Sequence, residues 1–187
     1  SNNNNNNSNN DRGDGRLRTA INTHSSIVKR AILEDIVRLC VFFGKQERIM
    51  DLFAQLLAYV NHPDWESDWE LRNAFCIKIP LVCAFLGSSV TSECILPFLD
   101  KARVDNHDIV VASAVRCVWT LIEMSLLSKP MIIDTFIKTV PLLLHPVTTI
   151  RNNTIGMIAA AAKFFGITDS YVFLLPYIRP ILTCDLI

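Results

Sequence analysis

What this sequence lacks narrows its chemistry first. It has six cysteines, Cys40, Cys76, Cys83, Cys94, Cys117 and Cys184, yet no pair has the two-residue gap of a zinc or redox motif. Each sits in an apolar run, where a thiol packs as a small hydrophobe, and a reducing intracellular compartment is the setting expected for such a chain. Six glycines are scattered, so no clustered loop ahead of a helix offers a phosphate cradle. Net charge is also missing: 18 basic residues balance 18 acidic ones, which leaves no overall field to favour nucleic acid or an anionic membrane. The longest strongly apolar uncharged stretch, Ile79 to Ser92, is broken by Pro80 and Gly87 and falls short of the roughly 20 residues a spanning helix needs. No charged-then-apolar leader opens the chain, so this piece is expected to be soluble and to carry no targeting signal of its own.

Catalytic constellations are absent in the same way. The histidines, His24, His62, His107 and His145, fall in a linker and in three separate turns. Zinc needs ligands converging at about 2 Å, whereas successive turns of stacked helices lie roughly 10 Å apart. Any Ser, Cys and His combination would have to bridge different repeats. We therefore expect no catalytic, cofactor-binding or metal-binding residue in this segment.

What is present begins with a tail. Ser1 to Asn10 is almost all asparagine, and the stretch through Arg18 offers nothing apolar to bury. Residues 1–25 are read as a disordered Asn-rich linker, because ordering them would cost entropy with no burial to offset it. Arg12-Gly13-Asp14 within it is an accident of composition. The glycosylation triplets at Asn6 and Asn152 are expected to be unused without a secretory signal.

The texture then changes to helical periodicity. Val28, Ala31, Ile32, Ile36, Leu39, Cys40 and Phe43 line one face, and Ile27, Leu33, Val37 and Val41 a second face beside it. A helix apolar over more than half its girth has to be covered on two sides. Three segments share an aliphatic–basic opening and a glycine fifteen residues after the basic residue: Val28-Lys29 to Gly44, Leu71-Arg72 to Gly87 and Ile150-Arg151 to Gly166. A fourth, Ile109-Val110 through Leu127, keeps the apolar pattern but lacks the basic residue and the glycine. The steps of 43, 38 and 41 residues match the roughly 40–47-residue period of stacked helix pairs. Shorter helices are expected between the long ones, at 47–60, 92–101, 132–144 and 170–182, three of them bent by Pro97, Pro141 and Pro176. No period-two alternation competes. The expected fold is all-α: a solenoid of about four HEAT-type hairpins over residues 26–187, in a right-handed superhelical stack that continues past residue 187.

Candidate contacts lie on this frame. The loop Asp64, Trp65, Glu66, Asp68, Trp69, Glu70 reads either as an acidic–aromatic binding loop or as a helix cap with Trp69 packed inward. The second reading is favoured, which leaves Trp65 as the candidate contact. Lys29, Arg72 and Arg151 recur at one place in the repeat. They form either a basic ridge for an acidic partner or a set of internal bonds to turn carbonyls and to acids such as Asp68 and Asp105, with the latter favoured. The run Ala159–Ala162 suggests close helix approach, and Asp68 or Thr148 can cap the following helix.

Two stretches carry a further resemblance: Val28-Lys29-Arg30-Ala31-Ile32-Leu33 to Leu39-Cys40-Val41-Phe42-Phe43-Gly44, and Leu143-Leu144-His145-Pro146 through Ile150-Arg151 and Gly156 to Leu175-Pro176-Tyr177-Ile178-Arg179-Pro180. Over about Ser26 to Ile187 the chain resembles the HEAT-repeat middle region of the protein-kinase-like regulatory subunits of class III phosphatidylinositol 3-kinase complexes. Thr149 stands where that family usually has tryptophan, and the Asp64–Asp68 loop is longer. The resemblance implies a kinase-like domain before this segment and a WD-repeat propeller after it. It also implies assembly with the lipid kinase catalytic subunit and a Beclin-like subunit, and cytoplasmic residence on endosomal or autophagic membranes through the complex alone. None of the kinase motifs lies here. The alternatives are a HEAT scaffold of another class, for a phosphatase or nuclear transport, and a part of an active serine/threonine kinase whose catalytic domain lies elsewhere.

Overall fold

A computed structural model describes residues 27–28, 30–42 and 68–182, and all its regular elements are helical. The expected linker, the helix at 47–60, Lys29, Gly44, Trp65 and Cys184 lie outside the described residues. The first helix, α1, covers residues 27–28 and 30–42. Next comes α2, Trp69–Leu86. Its N-terminus is fixed by Asp68, whose carboxylate accepts the Leu71 amide at 3.0 Å, which satisfies one of the orphan donors of the first turn.

The segment α3 is composite: an α turn at Ser88–Val90, a π turn at Thr91–Ile95 and an α stretch at Leu96–Ala102. Pro97 explains the change of pitch, because its ring has no amide to donate and crowds the carbonyl four residues back. Two long helices follow, α4 at Asp108–Glu123 and α6 at Thr148–Phe173, the latter broken by a kink at Gly166, with α5 at Lys129–Thr139 between them. α5 tightens to a 3-10 helix at Val140–Leu144, at Pro141. The last element, α7, is Leu175–Leu182, bent by 71° from α6. The sequence places Pro97, Pro141 and Pro176 inside single helices, whereas here each begins a new helical piece. No described helix alone is long and apolar enough to cross a membrane.

The long helices stack in order, α2 on α4 and α4 on α6, and the shorter helices lie beside them. One buried cluster runs through the stack from Leu33, Ile36 and Cys40 of α1, through Phe75, Val118 and Leu121, to Met157 and Phe165 of α6. Burial against adjacent layers, and not a central globule, is the architecture of an all-α helical-repeat solenoid.

Helix ends keep the period. Gly87 (φ 93°, ψ −178°) and Gly166 (φ 76°, ψ 177°) adopt the same conformation, one open essentially to glycine alone. This is not the left-handed helical cap that their positions suggest, since ψ is extended. In both, a hydroxyl four residues on returns to the glycine carbonyl, from Thr91 at 2.8 Å and from Ser170 at 2.6 Å. The end of α4 has no glycine, and Ser125 takes positive φ there (56°). Leu126 N–H donates to the Leu121 carbonyl at 3.1 Å and Ser125 N–H to that of Ile122 at 2.9 Å, the pairing of a Schellman cap. The helix expected to run to Leu127 therefore stops at Glu123.

Opposite effects are expected at these ends. Ser125→Gly removes left-handed strain and should raise stability by about 1 kcal/mol. Gly87→Ala and Gly166→Ala should each lower it by about 1–3 kcal/mol. Nothing lies within 4 Å of an added Cβ at either glycine, so the loss is backbone strain and not a clash. Urea midpoints of the three variants check the signs.

Candidate functional site

Of the four residues singled out for partner contacts, Lys29 and Trp65 lie outside the described residues. Arg72 is buried in α2. Its Nε donates to Asp105 Oδ2 at 2.6 Å and its Nη2 to Asp105 Oδ1 at 3.0 Å. Asp105 also accepts the His107 amide at 2.9 Å, so one carboxylate ties α2 to the turn that launches α4. Arg151, at the start of α6, is half-buried. Its guanidinium donates to the His145 and Pro146 carbonyls, each at 2.7 Å, and to Thr148 Oγ1 at 3.1 Å. The repeated basic position thus clamps the turn before its own helix in one repeat and reaches the next repeat's turn in the other. Arg72 and Arg151 do not form a shared exposed ridge.

Trp69 stacks on His107 with centroids 5.6 Å apart. At the α6 entry, Val147 N–H donates to His145 Nδ1 at 3.2 Å, and Thr148 makes no cap bond. The turn histidine does what the sequence offered to Thr148. Asn152 belongs to a helical glycosylation triplet whose Thr154 is buried and donates to the Ile150 carbonyl at 2.8 Å.

The repeat step reappears as a ladder of side-chain bonds. Arg30 of α1 pairs with Glu70, 40 residues on. Ser113 donates to Asn73 at 2.6 Å, again 40 residues apart, and Asn153 donates to the Ala112 carbonyl at 2.8 Å, 41 apart. Lys129 and Asp169 pair at 2.7 Å, 40 apart, and Lys138 reaches Asp100 at 2.8 Å, 38 apart. Each rung joins neighbours in the stack.

A further rung has no counterpart in the sequence pattern. Arg103, 4 % exposed, donates to the carbonyls of Leu99 and Thr135, to Thr139 Oγ1 and to Asp100. Burial lowers its pKa, and the Asp100 charge and hydrogen bond and the Asp134 charge work against that shift. Asp100 in turn accepts from Lys138, whose pKa its bonds to Asp100 and Asp134 raise. Asp100 and Arg103 stand at helical i,i+3 spacing, but Asp35 and Arg38 and Asp134 and Lys138 do so at similar spacing on exposed faces, so the spacing alone does not single out the buried pair.

Three thiols among the described residues are held neutral by burial. Burial pushes the Cys76 thiol up to about 12 and that of Cys83 to about 11, and burial raises Cys117 well above its usual range. Thiols held neutral are poor nucleophiles and ligands. No group of metal-competent side chains occurs among the described residues.

Two grooves remain. One, about 620 Å³, lies between α1 and α2, with Leu33, Ala74 and Ile77 among its lining and charges of both signs at Arg30, Arg38, Glu34 and Glu70. The other, about 490 Å³ and mostly apolar, runs along α6 and α7 past Gly166. What the described surface offers is therefore packing and hydrogen bonding between helical layers.

Comparison with known proteins agrees with that chemistry. A family model described as "PIK3R4-like, middle domain" matches residues 15–187. The chain is 32% identical over 155 residues to a probable serine/threonine-protein kinase vps15 of Dictyostelium discoideum, covering 83% of this chain and 8% of that protein. It is 36% identical over 156 residues to the serine/threonine-protein kinase VPS15 of Arabidopsis thaliana (83% and 10%). Against the serine/threonine-protein kinase vps15 of Schizosaccharomyces pombe it is 33% identical over 168 residues (90% and 10%). The chain thus spans about a tenth of the length of these relatives. The matched region is their middle domain and not a kinase domain, so this segment carries no catalytic domain.

Proposed function

The chain belongs to the PIK3R4-like middle-domain family, the helical-repeat region of a protein-kinase-like regulatory subunit, and from that premise we propose that it is the scaffold segment of a class III phosphatidylinositol 3-kinase complex. In this reading the segment spaces and orients the parts of the subunit that hold the lipid kinase catalytic subunit and a Beclin-like subunit. It serves endosomal sorting and autophagy from the cytoplasmic face of those membranes, which it reaches only through the complex.

The observation that carries the reading is the ladder of bonds at steps of 38 to 41 residues. A flexible tether needs no such register. The rung from Asn153 to the Ala112 carbonyl is buried and that from Ser113 to Asn73 partly so; polar groups placed there cost desolvation unless they are satisfied, and no buried side-chain nitrogen or oxygen among the described residues lacks a partner. A stack built in this way transmits position along its length, as a spacer between flanking domains must.

Replacing residues 68–182 in the full-length protein by a flexible Gly/Ser linker tests this. Co-purification with the lipid kinase catalytic subunit and the Beclin-like subunit should fall at least tenfold, with the remaining domains still folded. Undiminished co-purification, or recovery of a phosphatase catalytic subunit by the intact protein in place of the lipid kinase, would overturn the assignment.

A further inference from the structure

Charge is distributed unevenly between the long and the short helices. Residues 71–86 of α2, 109–122 of α4 and 148–168 of α6 contain no aspartate or glutamate, yet they hold five cations. The short helices carry acids instead, Glu93 and Asp100 on α3 and Asp134 on α5. Two of the five cations, Arg72 and Arg151, are engaged by Asp105 and by turn carbonyls. Among the described residues, the side chains of Lys78, Arg116 and Lys163 have no ion-pair or hydrogen-bond partner. The unpaired cations are therefore not those that the repeat pattern singled out.

Two seams place these cations on one face of the stack. Asn73 of α2 accepts from Ser113 of α4 at 2.6 Å, and Ile77 and Arg116 stand one turn further along the same sides of their helices. Between α4 and α6 the seam is Trp119 against Gly156. A Cβ at Gly156 would lie 2.6 to 2.8 Å from three carbons of the Trp119 ring, so an alanine there would push the ring away. Lys163 follows two turns on from Gly156. The Arg116 guanidinium lies over the same ring, 5.4 Å from its centroid. Half-buried Trp119 is thus held from both sides. Beside this pair on α2, Ile77 and Leu81 are 56 % and 50 % exposed. Lys78 lies at the far edge, in a groove that Glu34 and Glu70 also line, so the positive field centres on Arg116 and Lys163.

We propose that this face is a docking surface for an acidic amphipathic helix of another polypeptide. Charge complementarity sets the sign, because unpaired cations on acid-free spans attract carboxylates and repel further cations. Ile77, Leu81 and the Trp119 ring supply the apolar part, and tryptophan and arginine are enriched among the side chains that anchor such contacts. A helix face has no free backbone groups to pair with an extended strand. The partner must be read through its side chains, which a helix presents along one stripe. Layers roughly 10 Å apart are crossed, three in all, by a helix of about 14 residues. An anionic bilayer fits less well. Three scattered cations attract anionic lipid only marginally, and Trp119, pinned between Arg116 and α6, is not available to insert. The face has this chemistry whichever complex the chain serves.

Fluorescence anisotropy with the full-length protein tests it. The probe is a fluorescein-labelled peptide of about 18 residues, with leucine at helical i, i+3 and i+4 spacing and glutamate elsewhere. The control peptide has glutamine in place of every glutamate. The acidic peptide should bind about ten times more tightly than the control or better. Arg116→Gln should weaken its binding about tenfold and Lys163→Gln about threefold. Lys101→Gln removes an exposed cation from α3, outside this face, and should leave binding unchanged. Circular dichroism checks that the variants keep equal helicity. Equal binding of the two peptides, no binding of the acidic one, or indifference to Arg116→Gln would overturn the proposal. Vesicles of phosphatidylserine and phosphatidylcholine form the second arm. Retention on them that Arg116→Gln abolishes, without peptide binding, would assign the face to a membrane and overturn it as well. Neither arm reads co-purification with the lipid kinase, so the scaffold assignment stands or falls separately.

Discussion

Asp105→Ala should lower the stability of the helical stack by about 3–5 kcal/mol, the cost of removing one partner from a buried ion pair. The side chains of Arg72 and Asp105 are only 6% and 10% exposed, and the guanidinium loses two bonds, at 2.6 and 3.0 Å, when the carboxylate goes. A short-range consequence follows, since the His107 amide loses its acceptor just where α4 begins. Arg72→Met is the informative comparison. It removes the charge and keeps much of the apolar stem, so it should cost less than Asp105→Ala even though it breaks the same pair. In the double variant the two losses should not add, because the dominant penalty of the Asp105 change, a buried charge short of bonds, is gone. Urea unfolding with a double-mutant cycle reads all three. A loss below about 1 kcal/mol for Asp105→Ala would place this pair with exposed ion pairs and remove it as the tie between α2 and α4.

The same pair shows which parts of the structure the sequence exposes and which it hides. The period, the all-helical class and the long-helix positions follow from apolar spacing, because burial acts through residue type and helical pitch alone. Arg72, Arg151 and Asp105 were visible as recurring or nearby charges, and Asp105 was among the candidate acids. Which of the two arginines faces inward is decided by a partner 33 residues away, and no local pattern encodes that. Ser125 was hidden for another reason. A glycine announces positive φ, but a serine that adopts it does so because the 6→1 and 5→2 bonds of the cap outweigh the strain. The prolines misled in the opposite direction. Pro97 and Pro141 suggest bent helices, yet each is accommodated by a change of pitch to π or 3-10. The family itself was legible in Leu143 to Arg151 and in Leu175 to Pro180. The partner surface was not, since two of its four candidates, Lys29 and Trp65, lie outside the described residues.

Arg103 makes the second large prediction. Arg103→Ala should destabilise the stack by about 3–5 kcal/mol, for two separable reasons. Its side chain fills space between α3 and α5, and removing a large buried side chain leaves a cavity. Its guanidinium also satisfies the Leu99 and Thr135 carbonyls and joins Asp100 to Thr139 Oγ1. Thr139 keeps a bond of its own to the Thr135 carbonyl at 2.7 Å, so that oxygen is not orphaned when the arginine goes. Asp100 still has Lys138 at 2.8 Å. Most of the loss should therefore come from the cavity, and Arg103→Met should recover half or more of it by refilling the space. Arg103→Lys should recover less than methionine, because one ammonium cannot span four acceptors arranged for a planar fork and would remain a buried charge. The ranking Ala, then Lys, then Met in increasing stability follows if packing dominates. If lysine proved more stable than methionine, the charge and its link to Asp100 would dominate instead. Thermal unfolding of the three variants, with circular dichroism to confirm equal starting helicity, separates the two cases.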